Sequence, residues 1–514
     1  MKIGNLRRNF LCAVSLTALS FSPALAADVT ALPESNWTGA WLGAGAGGSY
    51  LLSDFAIDSD KYATSPSVVF KEERTREADV AAQMFTGTVE AGFDYQVGSQ
   101  LVLGLVSSFD FSSGSGQLYS DKTTANNLDA AKEVYDAEVE LGNSWAVGGR
   151  AGLLLGPRTL FYGTGGITQA EVSVHASYKD KTGTDDATKD WSAQSDGWTS
   201  GVFFGGGVET MLTDNVSAKL EYRFSRYDSV SADAETAKKE SKTQSYFEST
   251  ASTGDLDVQS VRATVAYHFA NGIAAADTVA AESSGDWTGA WIGAGAGGSS
   301  MLSEFAIDSD KYTGTPSEFK EERIREADVG AEMFMGIVEA GVDYQVSEQL
   351  VLGLVGNFDF GSGSGHLYSD KTTAKNLDAA KEVYDAEVEM GNSWAVGARA
   401  GLLLTPGTMV FGTGGFTQAD VSVQASYKDK TGTDNPSKDW STQSDDWTTG
   451  MFVGGGVETM LTDNVSAKLE YRFARYDAVS ADAETTGSNS YYESTASTGD
   501  IDVQSLRATV AWRF

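Results

Sequence analysis

The chain has 514 residues, with 71 Asp and Glu against 37 Lys and Arg, and a formal net charge of −34 at pH 7. So acidic a balance excludes nucleic acid as a partner, because neutralising phosphates needs a basic surface. The single cysteine, Cys12, lies near the start, so the rest of the chain offers no disulfide framework, thiolate metal site or cysteine nucleophile.

Residues 1–26 read as a secretory signal. Lys2, Arg7 and Arg8 are its basic end, Phe10 to Phe21 its short apolar core, and Ala24-Leu25-Ala26 its small-x-small cleavage pattern. The apolar core is too short to cross a bilayer as a helix. Leu11 stands before Cys12 where a lipid-anchored protein would carry a small residue. Cleavage after Ala26 leaves 34 basic against 71 acidic residues and a net charge of −37, a self-repelling, soluble surface. No later stretch approaches an 18-residue apolar run, so transmembrane helices are not expected.

After a short segment, 27–36, the chain says nearly the same thing twice. Trp37-Thr-Gly-Ala-Trp-Leu-Gly-Ala-Gly-Ala-Gly-Gly returns as Trp287-Thr-Gly-Ala-Trp-Ile-Gly-Ala-Gly-Ala-Gly-Gly, and Met211 to Phe224 recurs unchanged from Met460 to Phe473. The copies span 37–269 and 287–514. The Ala-, Ser- and Gly-rich segment 270–286 between them reads as a flexible linker.

Within a copy, apolar and polar residues alternate with the period of a strand. Val216, Ala218, Leu220, Tyr222 and Phe224 share one face; Ser217, Lys219, Glu221 and Arg223 share the other. Eight strands are expected, near 37–50, 83–97, 101–112, 134–155, 159–178, 197–212, 216–230 and 256–269. Tight turns at Gly98-Ser99-Gln100, Gly156-Pro157-Arg158 and Thr213-Asp214-Asn215 alternate with long polar loops around 53–82, 113–133, 179–196 and 231–255. Alternation continuing through Tyr135, Ala137, Val139 and Leu141 suggests a wall projecting beyond the outer leaflet; a short helix at 127–141 competes with it.

Short turns at one end and long loops at the other describe an antiparallel up-and-down β-barrel of a bacterial outer membrane. Both termini of each copy then sit at the periplasmic end. A soluble β-sandwich would alternate as well, but with its apolar face turned inward. The charges favour the barrel. Glu90, Arg150, Glu209, Glu221, Arg223 and Arg262 fall on polar faces of neighbouring strands, as do Glu339, Arg399, Glu458, Glu470, Arg472 and Arg507 in the second copy. In a narrow barrel they would meet as ion pairs across the lumen. Two tandem eight-stranded barrels are expected, with one sixteen-stranded barrel as the alternative.

The last strand ends at Val510-Ala-Trp512-Arg-Phe514, where Trp512 and Phe514 resemble the terminal signal read by the outer-membrane assembly machinery; Val265-Ala-Tyr267-His-Phe269 ends the first copy in the same way. Together with Tyr162-Gly-Thr-Gly-Gly166, Gly206-Gly-Val-Glu209, Leu212-Thr-Asp-Asn215 and Ala218-Lys-Leu-Glu-Tyr-Arg-Phe224, the tryptophan–glycine opening resembles one family. It is the small outer-membrane β-barrels of alphaproteobacteria, often called outer-membrane immunogenic or porin-like proteins, similar in build to the OmpA and OmpX barrels. The resemblance covers the strands of both copies and implies a Gram-negative outer-membrane location, without catalytic residues or cofactors. A tandem departs from the usual single barrel.

Three chemical motifs resolve to simpler readings. Gly43-Ala-Gly45-Ala-Gly-Gly48 has the letters of a dinucleotide fingerprint, but no helix is expected after it, and strand glycines serve close packing. Asp58-Ser-Asp60 and Asp308-Ser-Asp310 lack the glycine and glutamate of a calcium loop and read as solvated acidic loops. The histidines do not recur between copies: His175 aligns with Gln424, His366 with Gln117 and His268 with Arg513. A histidine-based hydrolase in both copies is thereby excluded. The expected function is a structural, surface-exposed barrel facing lipid and lipopolysaccharide, with a host or environmental ligand at its loops; a porin-type channel is the runner-up.

Overall fold

A computed structural model of the chain describes residues 36–64, 68–124, 133–155, 158–180, 190–235, 245–269, 286–313, 318–373, 382–429, 439–486 and 490–514. The leader, nearly all of 27–36 and all but one residue of the 270–286 linker lie outside them. The described residues hold no helix, and every strand joins one antiparallel sheet.

The first copy comprises β1 (Gly39–Thr64), β2 (Val68–Val97), β3 (Leu101–Ser112), β4 (Gly114–Thr124), β5 (Glu133–Leu154), β6 (Thr159–Asp180), β7 (Trp191–Met211), β8 (Val216–Tyr227), β9 (Ser231–Glu235) and β10 (Ser245–His268). The second repeats them as β11 (Gly289–Thr313), β12 (Glu318–Gln345), β13 (Leu350–Phe360), β14 (Gly363–Thr373), β15 (Glu382–Thr405), β16 (Thr408–Asp429), β17 (Trp440–Met460), β18 (Val465–Tyr476), β19 (Ser480–Thr486), β20 (Ser490–Thr498) and β21 (Ile501–Arg513).

β3, β5 and β6 keep nearly the expected bounds, but other strands run much further than expected. β1 has 26 residues and β2 has 30, where a tilted bilayer crossing needs about 9–11. Much of the sequence expected as loops at 53–82, 113–133, 179–196 and 231–255 is strand instead. The competing helix at 127–141 is strand from Glu133 on; its start lies outside the described residues.

The physical reason is a change in the kind of residue that faces inward. In the lower half of each copy, Leu42, Phe93, Leu105, Ile167, Phe204 and Val265 point outward and are exposed, while the inward positions are polar. That suits a wall with lipid outside. In the upper half the interior is apolar, with Leu51, Phe55, Ile57, Val80, Val139 and Val174 buried, and the outer face carries Asp54, Asp58 and Glu77. That suits a wall with water outside.

Some strands mark the level of this change with a break or a register slip, whereas β1 and β2 keep one phase inward along their whole length and change only in residue type. β3 breaks from β4 after Ser112, and β8 from β9 after Tyr227. The β5–β6 register slips between Leu141 and Ser144, and the β1–β10 register slips between Ser53 and Phe55. An irregularity of one residue moves every following side chain to the other face. β5 therefore buries Tyr135, Ala137, Val139 and Leu141 above its bulge, then Ala146 and Arg150 below it.

Below this level each copy closes on itself. β1 pairs with β2, β2 with β3, β3 with β5, and onward through β6, β7, β8 and β10 back to β1. The second copy closes β21 onto β11 in the same way. The closure is tight at Gly45, where a Cβ would stand 2.1 Å from the Ala263 carbonyl oxygen. At the short-turn end, Gly98 takes φ +69°, a left-handed conformation that favours glycine.

Above it the pairing crosses over. β4 leaves its own β2 and pairs with β12, from Leu118↔Ala327 to Thr124↔Glu321. β14 reciprocally pairs with β2, from Leu367↔Ala78 to Thr373↔Glu72. Neighbour follows neighbour through both copies, so the upper walls form one ring of sixteen strands. The fold thus combines the two expected arrangements: a pair of eight-stranded rings at the base and a single ring above, pinched where Val80 of β2 pairs with Val329 of β12.

Candidate functional site

In the lower halves the inward polar residues assemble into layers of ion pairs. All twelve residues expected to line the lumen are buried there. Arg150 bridges Asp94, at 3.4 Å, and Glu209. Lys219 meets Glu90 at 2.5 Å, and Thr264 donates to the same carboxylate at 2.8 Å. Glu221 accepts from Arg223 at 2.9 Å and from the Tyr162 hydroxyl at 2.9 Å. Arg262 reaches Asp110 at 3.0 Å.

The second copy repeats the pattern with small changes. Arg399 bridges Asp343, at 3.1 Å, and Glu458, at 2.7 Å; Lys468 meets Glu339 at 2.5 Å. Arg472 pairs with Glu470 at 2.9 Å, and Arg507 with Asp359 at 2.6 Å. Lys219, Lys468, Asp110 and Asp359 were not singled out from the sequence, although each sits on the polar phase of its strand. Asp110, flanked by Phe109 and Phe111, carried the clearest signal.

Aromatic rings fill the space between the charges. The Arg150 guanidinium carbon lies 4.2 Å from the Tyr162 ring centroid, and Lys219 Nζ 4.1 Å from that of Trp41. Two lumenal cavities lie among these residues, of about 40 Å³ in the second copy and about 20 Å³ in the first. Such voids hold a few waters rather than a solute.

The histidines take separate, unrelated places. His268 Nε2 lies 3.1 Å from both Glu209 and Ser217, against the edge of Trp37. Its counterpart Arg513 takes the same position in the second copy, 3.0 Å from Glu458 and 2.5 Å from Asp343. His366 bridges the copies, with Nδ1 3.2 Å from Asp79 and Nε2 3.2 Å from Glu387. His175 is on the outer wall, 3.5 Å from Ser192.

The glycine run Gly43–Gly48 lies within β1, and β2 follows it in place of the helix that a phosphate cradle needs. The two Asp-Ser-Asp motifs lie on β1 and β11 rather than in loops, because the alternation continues through them. In the second copy, carboxylate oxygens of Asp308, Asp310 and Glu322 lie within 4.8 Å of one another on the outer wall. Tyr267, Phe269, Trp512 and Phe514 point outward at the base and are exposed.

Above the change of inward residues the seam is held by apolar packing, backbone ladders and polar contacts. One apolar core includes Phe55, Val80 and Leu118 of the first copy and Phe305, Val329 and Leu367 of the second. Tyr50 donates to the Met301 carbonyl, and Gln259 to Glu332 at 2.7 Å. Lys371 pairs with Glu72 at 3.4 Å and Lys122 with Glu321 at 3.1 Å. Burial opposes ionisation of Glu72 and Glu321, but Arg74 with Lys371, and Arg323 with Lys122, outweigh it and hold both carboxyls below their ordinary values. On the acidic outer face, burial and then neighbouring carboxylates raise Glu73 and Glu322.

Known proteins resemble the chain in the same terms. It is 28% identical over 223 residues to a 31 kDa outer-membrane immunogenic protein of Brucella melitensis, covering 41% of this chain and 83% of that protein. A 22 kDa outer membrane protein of Rhizobium leguminosarum bv. viciae is 28% identical over 204 residues, covering 40% and 71%. Among solved structures, a Pseudomonas aeruginosa FadL homologue matches 93% of this chain and 90% of its own at 9% identity, with a TM-score of 0.23. The Escherichia coli outer membrane protease OmpT matches 89% and 97% at 12% identity, with a TM-score of 0.18. At such scores neither bears on architecture or activity. The family model of the outer membrane protein β-barrel domain matches residues 13–269 and again 272–514, so the chain belongs to that family and is an outer-membrane protein.

Proposed function

We propose that the protein is a structural, surface-presenting barrel that conducts no solute and catalyses no reaction. The observation that carries this reading is the filled lumen: Arg150 between Asp94 and Glu209, and Arg399 between Asp343 and Glu458, close each base with buried ion pairs and stacked aromatics. An eight-stranded barrel is only wide enough for its own side chains. Among the described residues of the wider upper ring, apolar side chains of both copies pack into one buried core, which also favours a closed interior.

In this reading the leader 1–26 is removed on export. The exposed Trp512 and Phe514 engage the assembly machinery, and the lower walls face lipid. The projecting acidic wall meets lipopolysaccharide or a host or environmental ligand. No copy-conserved histidine stands ready as a general base, which supports a non-catalytic role.

Conductance tests the reading against the porin alternative. Full-length protein reconstituted in a planar bilayer is expected to leave the baseline unchanged or give only small, brief events. Large, stable open steps would overturn it.

A further inference from the structure

Two buried cations at the junction of the copies have no anion. Arg76 on β2 and its counterpart Arg325 on β12 are each 9% exposed. Each guanidinium stacks on a tyrosine, with its carbon 3.4 Å from the ring centroid of Tyr135 or Tyr384. Nε and Nη1 of both are buried without a hydrogen-bond partner.

The neighbouring carboxylates are already engaged. Arg74 takes Glu72 at 2.6 Å and Glu133 at 3.2 Å, and Lys371 also reaches Glu72. Arg323 takes Glu321 at 2.6 Å and Glu382 at 3.2 Å, and Lys122 also reaches Glu321. Among the described residues no ion pair is formed by Arg76 or Arg325. Val80 of β2 pairs with Val329 of β12, and each arginine lies four residues before its valine on the same buried phase, so the two stand at one level on the strands that meet there. An unpaired charge out of water is costly, and guanidinium keeps its proton.

We propose that Arg76 and Arg325 together bind a tetrahedral oxyanion of the phosphate or sulfate class, shared between the copies as a structural ligand. A dianion matches the two unpaired charges, and planar guanidinium groups suit its oxygens. The arginines face the interior of the upper ring, away from the bilayer, so the source is the free ion rather than a lipid headgroup. Binding would lock the seam, since each copy supplies one arginine.

The test uses the full-length protein folded in lipopolysaccharide-free detergent, unfolded by heat in phosphate, in sulfate, or in chloride at matched ionic strength. Phosphate or sulfate should raise the midpoint by about 2–4 °C over chloride. The double variant Arg76→Met/Arg325→Met should lose that rise, whereas Arg226→Met, on the outer wall, should keep it. Equal midpoints in all three salts, an undiminished rise in the double variant, or a rise only when lipopolysaccharide is added would each overturn the proposal. Selenate soaked into crystals of the unmodified protein needs no variant: an anomalous peak between the two guanidinium groups is expected, and its absence would contradict the site.

Discussion

Arg150→Met should destabilise the protein by about 3–5 kcal/mol, the range for breaking a buried ion pair from one side. Arg150, Asp94 and Glu209 are all nearly inaccessible at the base of the first copy. Without the guanidinium, Asp94 would lose its ion-pair partner, and Glu209 would keep His268 and Ser217. The equivalent Arg399→Met should cost about half as much or less, because Arg513 also pairs with both Asp343 and Glu458. Arg513 stands where the first copy has His268, so one difference between the copies sets the asymmetry. Urea midpoints of the two variants in detergent check this, and Arg150→Met/Asp94→Asn should recover part of the loss by removing the stranded charge. Equal midpoints for the two single variants would sink the explanation.

The second large effect concerns the joint between the copies. With a protease site placed in 270–286, cutting the folded protein should leave the two halves together through size exclusion in detergent, parting only on denaturation. Two reciprocal seven-pair ladders cross the seam, and the apolar core beneath them is continuous between copies. Merely tethered barrels would have nothing but the linker and would elute apart after the cut.

Much of the lower half was legible in the sequence because its chemistry has one sign throughout. Val216 to Phe224 alternate with Lys219, Glu221 and Arg223 in a wall that has lipid outside, and the ion-pair residues followed from that phase. Apart from Tyr135 to Leu141, whose alternation already pointed to a projecting strand, the upper half was not legible, for two local reasons. Asp54, Asp58 and Asp60 on the outer face make the segment look like a solvated loop, although Phe55 and Ile57 between them are buried. The bulge at Gly142-Asn143 then breaks the period just where the inward face changes from Val139 and Leu141 to Ala146 and Arg150. The crossing of β4 and β14 could not be read at all. The copies are so alike that pairing β2 with either strand satisfies the same pattern, and only the packing chooses between them.

That choice can be measured directly with engineered cysteines, because the only native one, Cys12, lies in the expected leader. Thr75 on β2 is the Cα partner of Asp370 on β14, and Asp121 on β4 is the first copy's counterpart of Asp370. Oxidised Thr75→Cys/Asp370→Cys protein, cut in the linker and denatured, should run as a single band that reduction splits in two. Thr75→Cys/Asp121→Cys should keep both thiols free, open to alkylation after the same oxidation. Efficient disulfide formation within the Thr75→Cys/Asp121→Cys variant, with none between the copies in the other, would mean that each wall closes on itself along its whole height and that the shared ring does not exist.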